Sequence, residues 1–293
     1  MRVAGIHRRA SLSPGNHRYN DAAILDETMA RLVRLGWQEA PGTTEERIES
    51  GEPLPEADLY LNMCQGPEAS TRLLALERPG GGLLLNHPSS VLSCHRAALV
   101  TRLEGTDVPF ASSRIVRPDD LGEHRLWLEG ATDRLWIKRG DVHAEGPADV
   151  CSAAPADVRP TLDGFFRRGI RSVVLQRHVE GPLVKFYGIG EGGWFRWYMD
   201  APSARARFDE ERLRDAAFSA AARLGVEIFG GDAVIVESGE PVLIDVNDWP
   251  SFARFRSEAA TAIARYANAR SSGAPRPLPA ATLAEAHARE EAR

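Results

Sequence analysis

Asp245 and Asn247 stand two residues apart in the run PVLIDVND, and Asp232 immediately precedes a second apolar run, AVIV. In an extended strand, residues i and i+2 point to one face, so Asp245 and Asn247 share a face while Val246 points the other way, into a core. A hairpin turning through Ser238-Gly239-Glu240 brings Asp232 within reach of them. Two carboxylates and one amide oxygen on a common face suit a hard cation such as Mg2+ or Mn2+, which keeps waters and shares itself with phosphate groups. Taken alone, Asp245 and Asn247 could equally cap the strand and bond a turn.

Only two of the 36 basic residues are lysines, Lys138 and Lys185. A general bias toward arginine supplies the surface cations, which singles out these two for a compact ammonium in a tight pocket. Lys138 ends the strand-like RLWIK and precedes a polar loop, Gly140 to Gly146. There it can reach phosphate oxygens while the loop closes over them. Lys185 lies in LVKFYGIG, where alternation sets it opposite Val184 and Phe186, facing solvent or a ligand.

The elements that must carry these residues follow from periodicity. Arg2 to Ile6 reads as a buried strand, and His7 to Asn20 as a polar loop with a turn at Pro14-Gly15. Asp21 to Leu35 has apolar residues at helical spacing and ends at Gly36; Asp58 to Met63, Glu68 to Glu77 and Leu83 to Leu85 continue as strand, helix, strand. This is the pattern of a small α/β domain with a parallel sheet, over about residues 1–85. After it come a loop and a helix (86–103), short apolar runs at 126–128 and 135–138 joined by Glu129-Gly130, and a helix at 162–168. Val173 to Val179, Leu183 to Ile189 and Trp194 to Tyr198 read as three strands of one meander. A helix at 210–224, a hairpin over 233–246 and a helix at 258–269 complete an α+β region, and the tail 271–293, with a helix over 281–292, is expected to be peripheral.

Composition narrows the function. A net charge of -5 argues against a general grip on nucleic acid. No apolar run approaches the length of a membrane span, and Arg2, Arg8 and Arg9 are not followed by the apolar stretch of a signal peptide. Cys64, Cys94 and Cys151 are widely spaced, which suggests neither a disulfide framework nor a zinc site and points to a reducing, cytoplasmic compartment.

The segments NHPSSVLSCHR, LWIKRGDVHAEG, VVLQRHVEGPLVKFYGIG, GVEIFGGDAVIV and PVLIDVNDWPSF occur in the order of an ATP-grasp domain. Over about residues 86–270 the chain resembles that superfamily, in particular glutathione-synthetase-like ligases and inositol trisphosphate kinases. The resemblance implies an α/β N-terminal domain followed by an α+β ATP-grasp fold, with a central lobe at about 105–176 and a C-terminal lobe at about 177–270 enclosing ATP. It implies that Lys138 holds the α- and β-phosphates, that Gln176, Arg177, His178 and Val179 form the hinge beside adenine, and that Glu180 reaches the ribose. Lys185 and Arg196 would face the transferred phosphate or the acceptor, Asp232, Asp245 and Asn247 would hold Mg2+, and the loop 140–146 would be a lid. Arg96 stands where the superfamily often carries a nucleotide-binding lysine. Asp245 stands where the ligases usually carry glutamate and the inositol phosphate kinases aspartate. The basic loop of His7, Arg8, Arg9, His17 and Arg18 would suit a phosphorylated or carboxylate substrate, or is simply an exposed loop; His178 and His143 could be no more than polar loop residues.

Three readings follow. A carboxylate-amine (or thiol) ligase working through an acyl phosphate needs no covalent nucleophile, in keeping with a sequence that has no Ser/His/Asp or Cys/His arrangement. A small-molecule kinase would use the same machinery on a hydroxyl. A nucleotide-binding module without turnover would not be expected to retain Lys138, Asp232, Asp245 and Asn247. The partner in the first two is a small-molecule acceptor, and the resemblance leaves room for a homo-oligomer.

Overall fold

A computed structural model describes residues 1–12, 18–77, 80–124, 127–128, 130, 133–142, 146–190, 193–199 and 208–273. The Pro14-Gly15 turn, His17, Leu126, Glu129, His143 and the helix expected at 281–292 lie outside the described residues.

The described residues build three sheets. The first is parallel, in the order β2 (Gln38–Glu39), β1 (Arg2–His7), β4 (Leu59–Asn62), β5 (Leu83–Leu85), with β3 (Thr43–Thr44) also pairing with β1. Its crossovers are α1 (Arg18–Arg34), α2 (Glu45–Glu49) and α3 (Pro67–Leu76). The helix expected within 86–103 is two: α4 (Pro88–Ser93) and α5 (Arg96–Leu103), broken where His95 turns extended at ψ 133. The second sheet is antiparallel, in the order β6 (Ser113–Val116), β9 (Val173–Arg177), β7 (Leu135–Arg139), β8 (Val150–Ala153), backed by α6 (Val158–Arg167). The third is also antiparallel, in the order β11 (Trp194–Tyr198), β10 (Leu183–Ile189), β12 (Ile228–Ile235), β13 (Pro241–Asp248), with α7 (Glu210–Leu224) and α8 (Arg256–Ser271).

Local chemistry accounts for the sharpest boundaries. The Asp209 side chain accepts from the Glu211 amide and caps α7, Glu210 and Glu211 favour its positive end, and Gly225 ends it at φ 69. Leu213, Ala217, Ala220 and Leu224 form its buried face. The expected meander is corrected: β9 lies in the second sheet, β10 and β11 in the third. The chain changes sheets at Glu180-Gly181-Pro182. Gly181 has φ 145, and a Cβ there would lie 2.0 Å from the Ile235 carbonyl oxygen, so only glycine fits.

Asp232 is likewise inside a strand rather than ahead of one. The strand expected from Ala233 begins earlier, and Gly230 and Gly231 both belong to β12. A Cβ on Gly231 would lie 2.3 Å from the Asp245 carbonyl oxygen and 2.4 Å from the Phe186 ring. Glycine there is a requirement of close packing. Gly231→Ala is expected to destabilise the fold by about 1–3 kcal/mol, the usual range for overpacking, and to push Asp245 out of place. Chemical denaturation, read beside nucleotide affinity, checks this; an unchanged midpoint with unchanged affinity would refute the packing argument.

Burial falls into separate cores. One joins the first sheet to the third: Val3, Ile24, Leu25, Leu59, Leu61 and Leu85 pack with Ile189, Ile228, Trp249, Phe252 and Ile263. Another lies between the third sheet, α5 and α7, and a third fills the space between the second sheet and α6. Asn86 locks the first joint: its Oδ1 accepts from the Glu227 and Ile228 amides and its Nδ2 donates to the Ile228 carbonyl at 2.7 Å.

Candidate functional site

β12 and β13 pair in register, with Asp232 directly opposite Asp245. One residue later the register shifts: Ala233 pairs with Leu243, which leaves Ile244 as an extra residue on β13. Such a bulge breaks the two-residue alternation. Ile244 and Asp245, though adjacent, therefore both line one cavity, while Val246 is fully buried behind them.

The Ile244 carbonyl accepts from Lys138 Nζ at 3.0 Å and from Gln176 Nε2 at 3.3 Å. Lys138 also donates to Gln176 Oε1 at 2.8 Å. The second and third sheets thus meet around one lysine. Burial lowers the Lys138 pKa, with Asp245 acting against that. Arg96, in the first turn of α5, is nearly buried and has Nη2 3.7 Å from Asp245 Oδ2. From the neighbouring strand, Lys185 faces Asp232 and bonds its Oδ1 at 2.7 Å. Burial raises the Asp232 pKa, and Lys185 pulls it back. Asn247 Oδ1 is buried with no hydrogen-bond partner.

Two cavities meet at this point. The first, about 430 Å3, is lined by Arg96, Trp136, Lys138, Val150, Gln176, Arg177, His178, Val179, Gly181, Leu183, Asp232, Val234, Ile244 and Asp245. Apolar side chains from both sheets face its interior, and cations stand at the end near the carboxylates: a slot for a flat ring at one end and for anionic groups at the other. The second, about 260 Å3, is lined by Arg8, Asp21, Gln65, Lys185, Tyr187, Tyr198, Asn247 and Asp248, with the turn that follows. Asp232 lines both.

Most of the expected site residues come together here. Arg96, Lys138, Gln176, Arg177, His178, Val179, Asp232 and Asp245 line the first cavity; Lys185 and Asn247 line the second. Two stand apart. The Glu180 side chain is 92% exposed and meets His178 Nε2 at 3.0 Å, and Arg196 is exposed and paired with Glu258 at 2.9 Å. Among the described residues, no group of three His, Cys, Asp or Glu could hold a metal. A cation here would rest on Asp232, Asp245 and the amide oxygen of Asn247, a hard-oxygen set in which Asn247 Oδ1 has no other partner.

Some site residues were missed in the sequence. Trp136 lines the first cavity, and its Nε1 donates to His178 Nδ1 at 3.1 Å. Its signal was available: it lies two residues before Lys138, on the same strand face. Gln65, Asp21, Tyr187, Tyr198 and Asp248 reach the second cavity from five separate elements or loops, and no spacing reveals them. From the basic N-terminal loop, Arg8 does arrive, nearly buried and donating to Asp21, Met63 and Trp249. Arg9 instead turns to Glu49.

No family model matches the chain, and no curated protein matches it. Solved structures do. A D-alanine-D-alanine ligase from Coxiella burnetii is 10% identical with a TM-score of 0.67, covering 93% of this chain and 96% of that one. A RimK domain ATP-grasp protein from Sphaerobacter thermophilus is 18% identical with a TM-score of 0.65, covering 92% and 100%. The D-cycloserine synthetase DcsG is 16% identical with a TM-score of 0.66, covering 92% and 100%. At these identities the likeness is one of fold, and the chain has the ATP-grasp fold.

Proposed function

We propose that this protein is a Mg-ATP-dependent ligase that joins a carboxylate to an amine through an acyl phosphate. The observation that carries the reading is the meeting of two cavities at Asp232. ATP occupies the first, with adenine beside the 176–179 segment and Trp136 and its phosphates toward Lys138 and Arg96. The acceptor occupies the second. Structural likeness to a D-alanine-D-alanine ligase and to DcsG supports ligation.

In the reaction a carboxylate oxygen of the substrate attacks the γ-phosphorus, the bond to the β,γ-bridging oxygen breaks, and ADP leaves. The acceptor nitrogen, once its ammonium form has released a proton to solvent, attacks the acyl carbon, loses a second proton, and inorganic phosphate departs. The protein aligns the partners and offsets charge. Lys138 and Arg96 hold the phosphates, and Lys185 steadies the group in transfer at the boundary of the cavities. Asp232, Asp245 and Asn247 would hold Mg2+, and the ion would supply charge neutralisation at the transferred phosphate. Charge in the second cavity favours a ligase over a kinase for polyphosphorylated substrates: Arg8 and Lys185 stand against three carboxylates, Asp21, Asp232 and Asp248, with no surplus of cations. No described helix is long and apolar enough to cross a membrane.

The test is phosphorus NMR of the protein with Mg-ATP and pooled acids and amines. ADP with free phosphate, dependent on both pools, supports the ligase. ADP with a new phosphate ester replaces it with the kinase that Asp245 would suit, and no ATP consumption overturns both.

Lys138→Arg should weaken ATP binding about tenfold or more, despite keeping the charge, because the pocket and its two acceptors are fitted to an ammonium. Calorimetric titration with a non-hydrolysable ATP analogue measures this. Unchanged affinity would reduce Lys138 to a brace between Gln176 and Ile244.

A further inference from the structure

Two buried oxygen atoms, on residues that line the second cavity, lack what their chemistry demands. Asp248 Oδ2 and Gln65 Oε1 are buried with no hydrogen-bond partner. Both residues are only 3% exposed, and both line the same space of about 260 Å3. They are neighbours, with Gln65 Nε2 3.5 Å from Asp248 Oδ1. Native proteins rarely leave buried acceptors unmet, and those that persist call for an explanation.

Neither residue is loosely held. The Gln65 amide donates to Glu45 Oε1 at 2.9 Å, and the Gln65 carbonyl accepts from His95 Nε2 at 2.8 Å. Glu45, itself fully buried, also accepts from the amides of Gly66 and Arg9. Asp248 is the last residue of β13, paired with Phe229. Arg8, on the same wall, donates to Asp21, Met63 and Trp249 and leaves these two oxygens unserved.

The missing partner must therefore bring donors. It must reach two acceptors at once and offset the charge of a buried carboxylate. An ammonium offers three donors and a positive charge, whereas a hydroxyl offers one donor and none. We propose that Asp248 and Gln65 form a subsite for an ammonium group of the substrate, so that the cavity selects a primary amine over the matching alcohol. The proposal rests on reading this cavity as the acceptor site of a ligase.

The test uses the full chain with Mg2+ and a non-hydrolysable ATP analogue. Saturation-transfer NMR and calorimetry screen amino acids of both hands and simple diamines, each against the hydroxyl compound of the same skeleton. The expected result is binding of one or more amines at least tenfold tighter than their hydroxyl counterparts. In Asp248→Asn and in Gln65→Leu that ratio should fall toward one, with nucleotide affinity unchanged. A merely structural role would weaken amine and hydroxyl alike and leave the ratio intact, which would overturn the proposal. So would the absence of any amine binding, or equal binding of the alcohols. Turnover separates the two readings. Selective amine binding without ADP release sinks the ligase and keeps the subsite. ADP and free phosphate formed equally well with hydroxyl acceptors keep the phosphate-activation chemistry and sink the subsite.

Discussion

Asn247→Ala is expected to cut ATP consumption by a factor of about 10^2–10^3, the scale for losing one group that stabilises transition-state charge, while the protein melts no earlier than before. The two halves of this prediction have one cause. Asn247 Oδ1 is buried and accepts no hydrogen bond, so it contributes nothing to the fold through that atom. Removing an unmet buried acceptor is neutral or stabilising, whereas removing a satisfied one is costly. If the oxygen is a metal ligand, the loss appears only when Mg2+ and ATP are present. Steady-state ADP release and thermal melting, each with and without Mg-ATP, check this. A lowered melting temperature with normal turnover would make Asn247 a structural residue and undo the metal assignment.

Trp249→Ala should do the opposite, costing about 3–5 kcal/mol of stability, the range for truncating a large buried aromatic. Trp249 is fully buried in the core joining the first and third sheets. Its ring donates to the Leu85 carbonyl at 3.2 Å, its amide to the Ile228 carbonyl at 3.1 Å, and its own carbonyl accepts from Arg8 at 2.9 Å. Its φ is 35, and Phe252 follows at 49, a conformation that side chains other than glycine adopt only when surroundings enforce it. Urea denaturation measures the loss. A change under about 1 kcal/mol would mean that the segment after β13 is not part of the joint.

Comparing the two substitutions explains what could be read from the sequence. Strand alternation exposed the pairing of Asp245 with Asn247, the outward face of Lys185 and the buried Val246, because a period of two depends only on neighbours. The order of the segments carried the ATP-grasp fold. Alternation failed wherever packing overrode it. The strand expected to start at Ala233 runs back through Gly230-Gly231, where the Asp245 carbonyl and the Phe186 ring leave no room for a side chain at Gly231. Nor does any residue type announce the extra Ile244, although its carbonyl joins Lys138 to Gln176. The single meander failed at Gly181, where the chain passes between sheets. The second cavity was least legible, since Arg8, Gln65 and Asp248 are brought together only by the finished fold. Glu45, which accepts from three backbone amides near it, carries no motif or spacing that would single it out.

The core shared by the first and third sheets also bears on how the chain can be made. Val3, Ile24 and Leu59 leave the ribosome well before Ala259, Ile263 and Ala267 of α8, part of the same core. At an elongation rate of about 5–20 residues per second, the first sheet waits on the order of ten seconds or more for the helix that covers α1. During synthesis its apolar face stays open, a natural client for a chaperone. A chain cut after residue 255 would leave the first sheet's share of that core uncovered as well as losing α8.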